Sequence, residues 1–342
     1  MYTSLLLFDI QGFFDNINHE RLAQIFVNLG FTLELVSWCH SFLKDQTVRL
    51  HFNGRMSDPF DLMVGTLQGL LVSPVLSIIY TSLLLHKMKD WTDSSLGMYI
   101  NNGAIFACGH SWPSIVNTLR EYYTTCVEWL THLGLSVKPD KTELIFFRRR
   151  GERSAPPCYI HLLLPAVQTY YQVPAVNMLH YLGFFFDTHL SWAYHIDIMC
   201  NRARASLKAL QLLSNSVQGL DHASWHLTYN AICLPVLTYG CQLWFQGKQA
   251  GLVKKLQAVQ NDTVRVIAGA FCIAPYKPLH QLLSILPMDL WLTMLTQNTV
   301  IRLYKVAKES QLLKWLGGNW YMPQPQVPHL PTPNNPRAHM AL

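Results

Sequence analysis

Charge is what this sequence has least of. Only 13% of its 342 residues are Asp, Glu, Lys or Arg, about half the usual share of roughly 25%. So sparse a charged surface suits a missing partner, a missing domain or relaxed selection on solubility better than a free-standing domain. The eight cysteines contain no C-x-x-C pair, which argues against a zinc knuckle. Their scattered spacing predicts reduced core thiols in a cytoplasmic or nuclear protein. The apolar run Leu5 to Phe8 has no basic stretch before it and Asp9 ends it, unlike a secretory leader. No internal repeat is visible. One uncharged stretch, Leu62 to Leu85, has the length of a membrane span. It is broken by Gly65, Gln68, Gly69, Ser73 and Pro74. Ser73-Pro74 predicts a helix N-cap with Pro at the first helical position. The helix from Pro74 to about Met88 is then too short to span, and its apolar surround predicts burial.

What is present is enough for a large core: 50% hydrophobic and 12% aromatic residues. The length allows two or three domains of about 150 residues. A net charge of +6 permits contact with nucleic acid without demonstrating it.

Periodicity organises the chain. Leu5 to Ile10 reads as a buried strand, and His19 to Leu29 and Leu33 to Leu43 as helices. Thr47 to Phe52 alternates like a strand, turns at Asn53-Gly54 and returns around Phe60 to Val64. The helix from Pro74 follows. Met98 to Ile100 and Ala104 to Phe106 read as a hairpin turning at Asn101-Asn102-Gly103, because Asn and Gly tolerate positive φ. Ser114 to Leu133 is an amphipathic helix closed by Gly134, and Glu143 to Phe147 is a strand. A second hairpin-like unit covers Tyr170 to Phe186. After Trp192 the pattern is helical to about Leu316, with an apolar stripe at Met199, Ala203, Leu207, Leu210 and Leu213. Residues 317–342 carry six of the 18 prolines and read as a disordered tail.

Four stretches in order resemble one family, the reverse transcriptases of non-LTR (LINE-like) retrotransposons. "LLLFDIQGFFDNINHERL" resembles the first palm motif, which implies Asp9 as a metal ligand and Phe14 as the aromatic beneath the incoming sugar. "VGTLQGLLVSP" resembles the loop and helix that contact the nucleotide, implying Gln68 and Gly69. Tyr99-Ile100-Asn101-Asn102 occupies the place of the family's Y-x-D-D hairpin. "LGLSVKPDKTELIFF" places Gly134 and Lys141 where the family has a Gly and a Lys near the triphosphate. "YLGFFFDTHLSW" resembles the primer-grip turn. The resemblance covers roughly residues 4 to 295. It implies an α+β fold: a right-hand polymerase palm with residual fingers elements over 1–192, then an all-helical thumb and connection region over 193–316. It implies Mg2+ as cofactor and an RNA template with a DNA primer as partners, with no membrane and no small-molecule cofactor.

The departures from the family matter as much. Phosphoryl transfer relies on two divalent ions held by carboxylate oxygens. Here Asp9 remains, but Asn101 and Asn102 stand where the hairpin acids belong. At about 4 Å and an effective dielectric near 20, one unit-charge pair is worth about 4 kcal/mol. Losing two carboxylates therefore predicts loss of catalysis and weak or absent Mg2+ binding. Leu67, Leu70 and Leu71 replace residues of a loop that the family stiffens with proline. The preceding fingers strands and a following RNase H-type domain are expected to be absent. Pro-to-Leu, Ser-to-Leu and Asp-to-Asn each need one C-to-T change on one strand or the other, the pattern of a decayed element copy.

Three function classes stay open on this reading. They are an active polymerase, a nucleic-acid-binding remnant without chemistry, and a translated copy with no selected function. Arg202, Arg204 and Lys208 lie off the apolar stripe and either track a nucleic-acid backbone or form an ordinary solvated face. Arg148-Arg149-Arg150 reads as a solvated loop, Asp15 and Asn16 as turn residues, and His222 and His226 as a surface pair despite metal-ligand spacing.

Overall fold

The computed structural model describes residues 2–304, except 63, 89–93, 153, 214–220 and 248. The side chains of residues 212, 213, 222 and 304 are not described. Expectations for the last helical stretch and the tail, 317–342, lie outside the described residues. The chain divides into two compact units, one ending at Ser191 and the other starting at Trp192.

The first unit is α+β. Strand β1 (Tyr2–Gln11) is followed by a 3-10 turn, Phe14–Asn16, and by helices α1 (His19–Asn28) and α2 (Leu33–Leu43). Asn18 caps α1 by accepting from Arg21 N–H at 2.9 Å, which satisfies one of the donors a helix start leaves open. Four two-residue strands follow: β2 (Thr47–Val48), β3 (His51–Phe52), β4 (Arg55–Met56) and β5 (Phe60–Asp61). β3 and β4 pair around Asn53-Gly54, and β2 pairs β5. Helix α3 (Ser73–Lys87) starts one residue before the expected place. Ser73 is its first residue rather than its cap, and its hydroxyl donates to Leu67 O at 2.7 Å. Nor is α3 wholly buried: Val75 and Ile78 are exposed while Leu76, Tyr80 and Leu84 enter the core.

Next come β6 (Ser94–Tyr99), β7 (Asn102–Gly109), α4 (Trp112–His132) and β8 (Ser136–Phe147). The strands form one antiparallel sheet in the order β6-β7-β1-β8. Alternation sorts β1 between the sheet's two faces. Leu6, Phe8 and Ile10 join the main core with Leu119, Tyr122, Tyr123, Cys126 and Leu130 of α4. Leu7 enters a smaller cluster with Ala104, Ile145 and Leu179, and Asp9 shares that side of the strand. Gly134, at φ +81°, ends α4 as expected.

The expected single unit over 170–186 is instead two hairpins. β9 (Tyr159–Leu164) pairs β10 (Thr169–Pro174), and β11 (Met178–Tyr181) pairs β12 (Phe184–Asp187). Leu182 and Gly183 both have positive φ, the requirement of a tight two-residue turn whose twist matches its strands.

The described elements of the second unit are all helical. It runs α5 (Ala193–Leu213), α6 (His222–Thr228), a π-helical turn (Tyr229–Cys233), α7 (Leu234–Leu237), α8 (Cys241–Trp244), α9 (Ala250–Ile267), α10 (Tyr276–Leu282) and α11 (Met288–Tyr304). Met199, Ala203 and Leu207 are buried along α5, as the stripe predicts. Trp244, Leu256, Val264 and Leu292 share its core with Ala203 and Leu207. No described helix is long and apolar enough to cross a membrane.

Candidate functional site

The site starts from a shift in strand register. Leu7 pairs Glu143 but Asp9 pairs Lys138, so one residue of β1 faces four of β8. Pro139 opens the excess segment, where its missing N–H costs no ladder hydrogen bond. The bulge carries Lys141 back over Asp9. Its ammonium donates to Asp9 Oδ2 at 2.7 Å.

The other side is built by the β6–β7 hairpin. Tyr99 pairs Asn102, so the turn is Ile100-Asn101 rather than the expected Asn101-Asn102-Gly103. Ile100 has φ +56°, a strained conformation for a β-branched residue. The backbone is tied to β1, with Ile10 N–H donating to Asn101 O at 2.8 Å. The Asn101 amide then donates to Asp9 Oδ1 at 2.5 Å, and the Asn102 amide donates to Asn101 Oδ1 at 3.2 Å. Gly103 sits within β7, and its value there is space: a Cβ would lie 2.1 Å from Phe8 Cζ.

Asp9, Asn101, Asn102 and Lys141 line one cleft of about 500 Å³, walled by His180 and the Leu182-Gly183 turn. The structure brings these four residues together. Phe14, Gln68, Gly69 and Tyr99 lie outside the cleft lining. Phe14 is half-buried against Phe13, ring centroids 5.8 Å apart. Gln68 and Gly69 are exposed in a turn, and Leu71 beside them is 94% exposed. Tyr99 is exposed too. Arg202, Arg204 and Lys208 are exposed on α5 in the second unit. Two lining residues went unforeseen, Asp140 and Glu143. Their signal was present, since both lie in the Lys141 motif.

The donor set decides what the cleft can hold. Hard divalent cations need several anionic or carbonyl oxygens. Here one buried carboxylate has both oxygens engaged by N–H donors, and the oxygen of Asn101 is engaged as well. The group beside Asp9 Oδ2 is itself a cation. Among the described residues, no three His, Cys, Asp or Glu side chains are grouped to hold a metal. These residues do not fit a pair of divalent ions. Lys141 supplies the positive charge beside Asp9, and Asp140 and Glu143 add two carboxylates to the cleft lining.

A family model described as reverse transcriptase (RNA-dependent DNA polymerase) matches residues 1–186. Two curated relatives from Drosophila melanogaster are each 23% identical. One is a probable RNA-directed DNA polymerase from transposon X-element, over 82% of this chain and 30% of its own length. The other, from transposon BS, matches over 78% of this chain and 29% of its own length. The chain thus spans about a third of these relatives. Among solved structures, apo telomerase from Candida tropicalis is similar at TM-score 0.43 and 12% identity, over 92% of this chain and 53% of that one. Telomerase from Candida albicans is similar at TM-score 0.40 and 11% identity, over 84% and 51%.

Proposed function

The chain belongs to the reverse transcriptase (RNA-dependent DNA polymerase) family, and from that premise we propose that it descends from a LINE-like retrotransposon polymerase and has lost metal-dependent synthesis. The single observation carrying the loss is the closed charge network at Asp9. Reverse transcriptases use divalent ions. On this reading Mg2+ was the ion, Asp9 its ligand, and Asn101 and Asn102 stand in the positions of two further acids. An ammonium 2.7 Å from Asp9 Oδ2 neutralises the one carboxylate left. Phe14, Gln68, Gly69 and Tyr99 keep nucleotide-contacting positions by descent.

What such a chain retains is nucleic-acid contact. Three cationic side chains, Arg202, Arg204 and Lys208, are exposed along α5, where the family has its thumb. They would meet backbone phosphates of an RNA template and DNA primer. Primer extension with Mg2+ or Mn2+ tests the loss. Incorporation should not exceed that of an Asp9→Ala control, and template-directed synthesis above it overturns the proposal. Residual binding is tested by titrating primer–template across a salt series. Arg202→Gln with Arg204→Gln should weaken binding and lower the salt dependence.

A further inference from the structure

A second cleft, of about 390 Å³, lies between the end of β8 and the turn after β12. Arg148, Arg149 and Arg150 line it, with Thr3, Glu152 and His189. The segment that reads as a solvated loop is therefore one wall of a built concavity. Arg148 is held on both sides of its backbone: its N–H donates to Thr188 O at 2.7 Å, and its carbonyl oxygen lies 3.0 Å from His189 Nδ1. Its side chain is half-buried, and its Nε is buried with no hydrogen-bond partner. A buried donor left unsatisfied is costly, more so when charged, and an anion reaching it would satisfy it. Among the described residues, none of the three guanidinium groups is in an ion pair. The one acid in the lining, Glu152, accepts from Arg149 backbone N–H at 3.2 Å. The cleft thus holds an excess of positive charge and an unmet donor.

We propose that this cleft binds the phosphates of a nucleic-acid strand, as a site separate from the Asp9 cleft. Guanidinium forks match phosphate oxygens in geometry and charge. The placement along the sheet favours a strand over a small anion. Thr3 lines this cleft and Asp9 the other, on the same side of β1. Six residues at roughly 3.3 Å each put them about 20 Å apart. The β11–β12 hairpin connects them, with its tip lining one cleft and the turn after β12 the other. Phosphates of one duplex strand repeat about every 3.4 Å along the axis. A duplex end held at Asp9 would therefore present phosphates here about six base pairs away.

The inference rests on the reading that the chain holds nucleic acid, and the test separates the two. Binding of hairpin-closed duplexes with stems of 4 and 12 base pairs is measured by fluorescence anisotropy across a salt series. The proteins are wild type, Arg149→Gln with Arg150→Gln, and Arg149→Lys with Arg150→Lys, with folding checked by circular dichroism. The wild type should bind the longer duplex more tightly. In the glutamine variant that advantage should vanish and the salt slope should fall by about two, near 0.9 per lost phosphate contact. The lysine variant should keep most of the slope. An unchanged slope and length advantage in the glutamine variant overturn this site while leaving nucleic-acid binding elsewhere intact. Absence of salt-sensitive binding by the wild type overturns the underlying reading and this proposal with it.

Discussion

Lys141 reaches Asp9 across a strand bulge and ends 2.7 Å from its Oδ2. Asp9 is only 8% exposed, so its charge needs partners. Lys141 is more than half exposed, so solvent screens its share. Lys141→Met should cost about 1 kcal/mol, the upper range for partly exposed pairs, read from urea unfolding at pH 7. The cost should shrink in 1 M salt, where the Debye length is about 3 Å. A change that ignores salt would mean the lysine stem, not its charge, matters.

Restoring the missing acids should have opposite effects with and without metal. Asn101→Asp removes the donor to Asp9 Oδ1 and adds a like charge, and Asn102→Asp adds another. Like carboxylates sharing a site repel, so the double variant should be less stable than wild type by about 1–3 kcal/mol in chelator. Mn2+ should return that stability by binding the folded state and should bind measurably by electron paramagnetic resonance titration. The wild type should show neither effect. Equal Mn2+ binding by both proteins would place the ion away from these residues.

Much of this site was legible because its residues sit in ordered motifs. Asp9, Asn101, Asn102 and Lys141 come from three segments up to 132 positions apart, yet they line one cleft. The turn was misread for a physical reason. Asn-Asn-Gly is better turn chemistry than Ile-Asn, but tertiary packing outweighs it. With the turn at Ile100-Asn101, Asn102 pairs Asp9 and Gly103 pairs Phe8. The glycine is needed for ring clearance, not for positive φ. The arginine run is a loop with Arg149 and Arg150 exposed, as its pattern reads, but a local pattern cannot show that Thr188 and His189 return beside it. Likewise α3 is apolar nearly all round, but its burial depends on neighbours, and Val75 and Ile78 stay exposed.

Gly103→Ala tests the clearance directly. The added Cβ would stand 2.1 Å from Phe8 Cζ and 2.4 Å from Cε2, and Phe8 is a buried core residue. Overpacking of this kind costs about 1–3 kcal/mol or more. Thermal unfolding should show a clear drop, and Phe8→Leu should recover part of it by making room. Additive losses in the double variant would mean the two residues do not meet.

The thiols are expected to divide by exposure. Cys158 and Cys272 are exposed, Cys108 is intermediate and the other five are buried. A colorimetric thiol reagent on the native protein should titrate Cys158 and Cys272 fast and the five buried thiols only after denaturation. Fast reaction of Cys126, whose thiol burial pushes well above its ordinary value of 9.0, would mean the α4 face is open.

Alkali should unfold the protein earlier than a core of aliphatics would predict. Burial holds the hydroxyls of Tyr122, Tyr123, Tyr171 and Tyr229 above their ordinary value of 10.0, and it pushes the Cys241 thiol up to about 11. Tyr123 and Tyr171 share a hydrogen bond of 2.7 Å within the sheet–helix interface. The folded state resists releasing these protons and the unfolded state does not. A raised folded-state value means that each group's contribution is intact below its unfolded value and is lost as pH rises above it. Stability should therefore be level to about pH 8.5 and then fall. Each group contributes about 1.4 kcal/mol per pH unit once its unfolded form has titrated. Urea midpoints at pH 7.5, 9.5 and 10.5 give the slope. Tyr123→Phe removes one contributor, so its curve should start lower, for the lost hydrogen bond, and fall less steeply. Parallel curves for the two proteins would show that Tyr123 does not titrate differently in the two states.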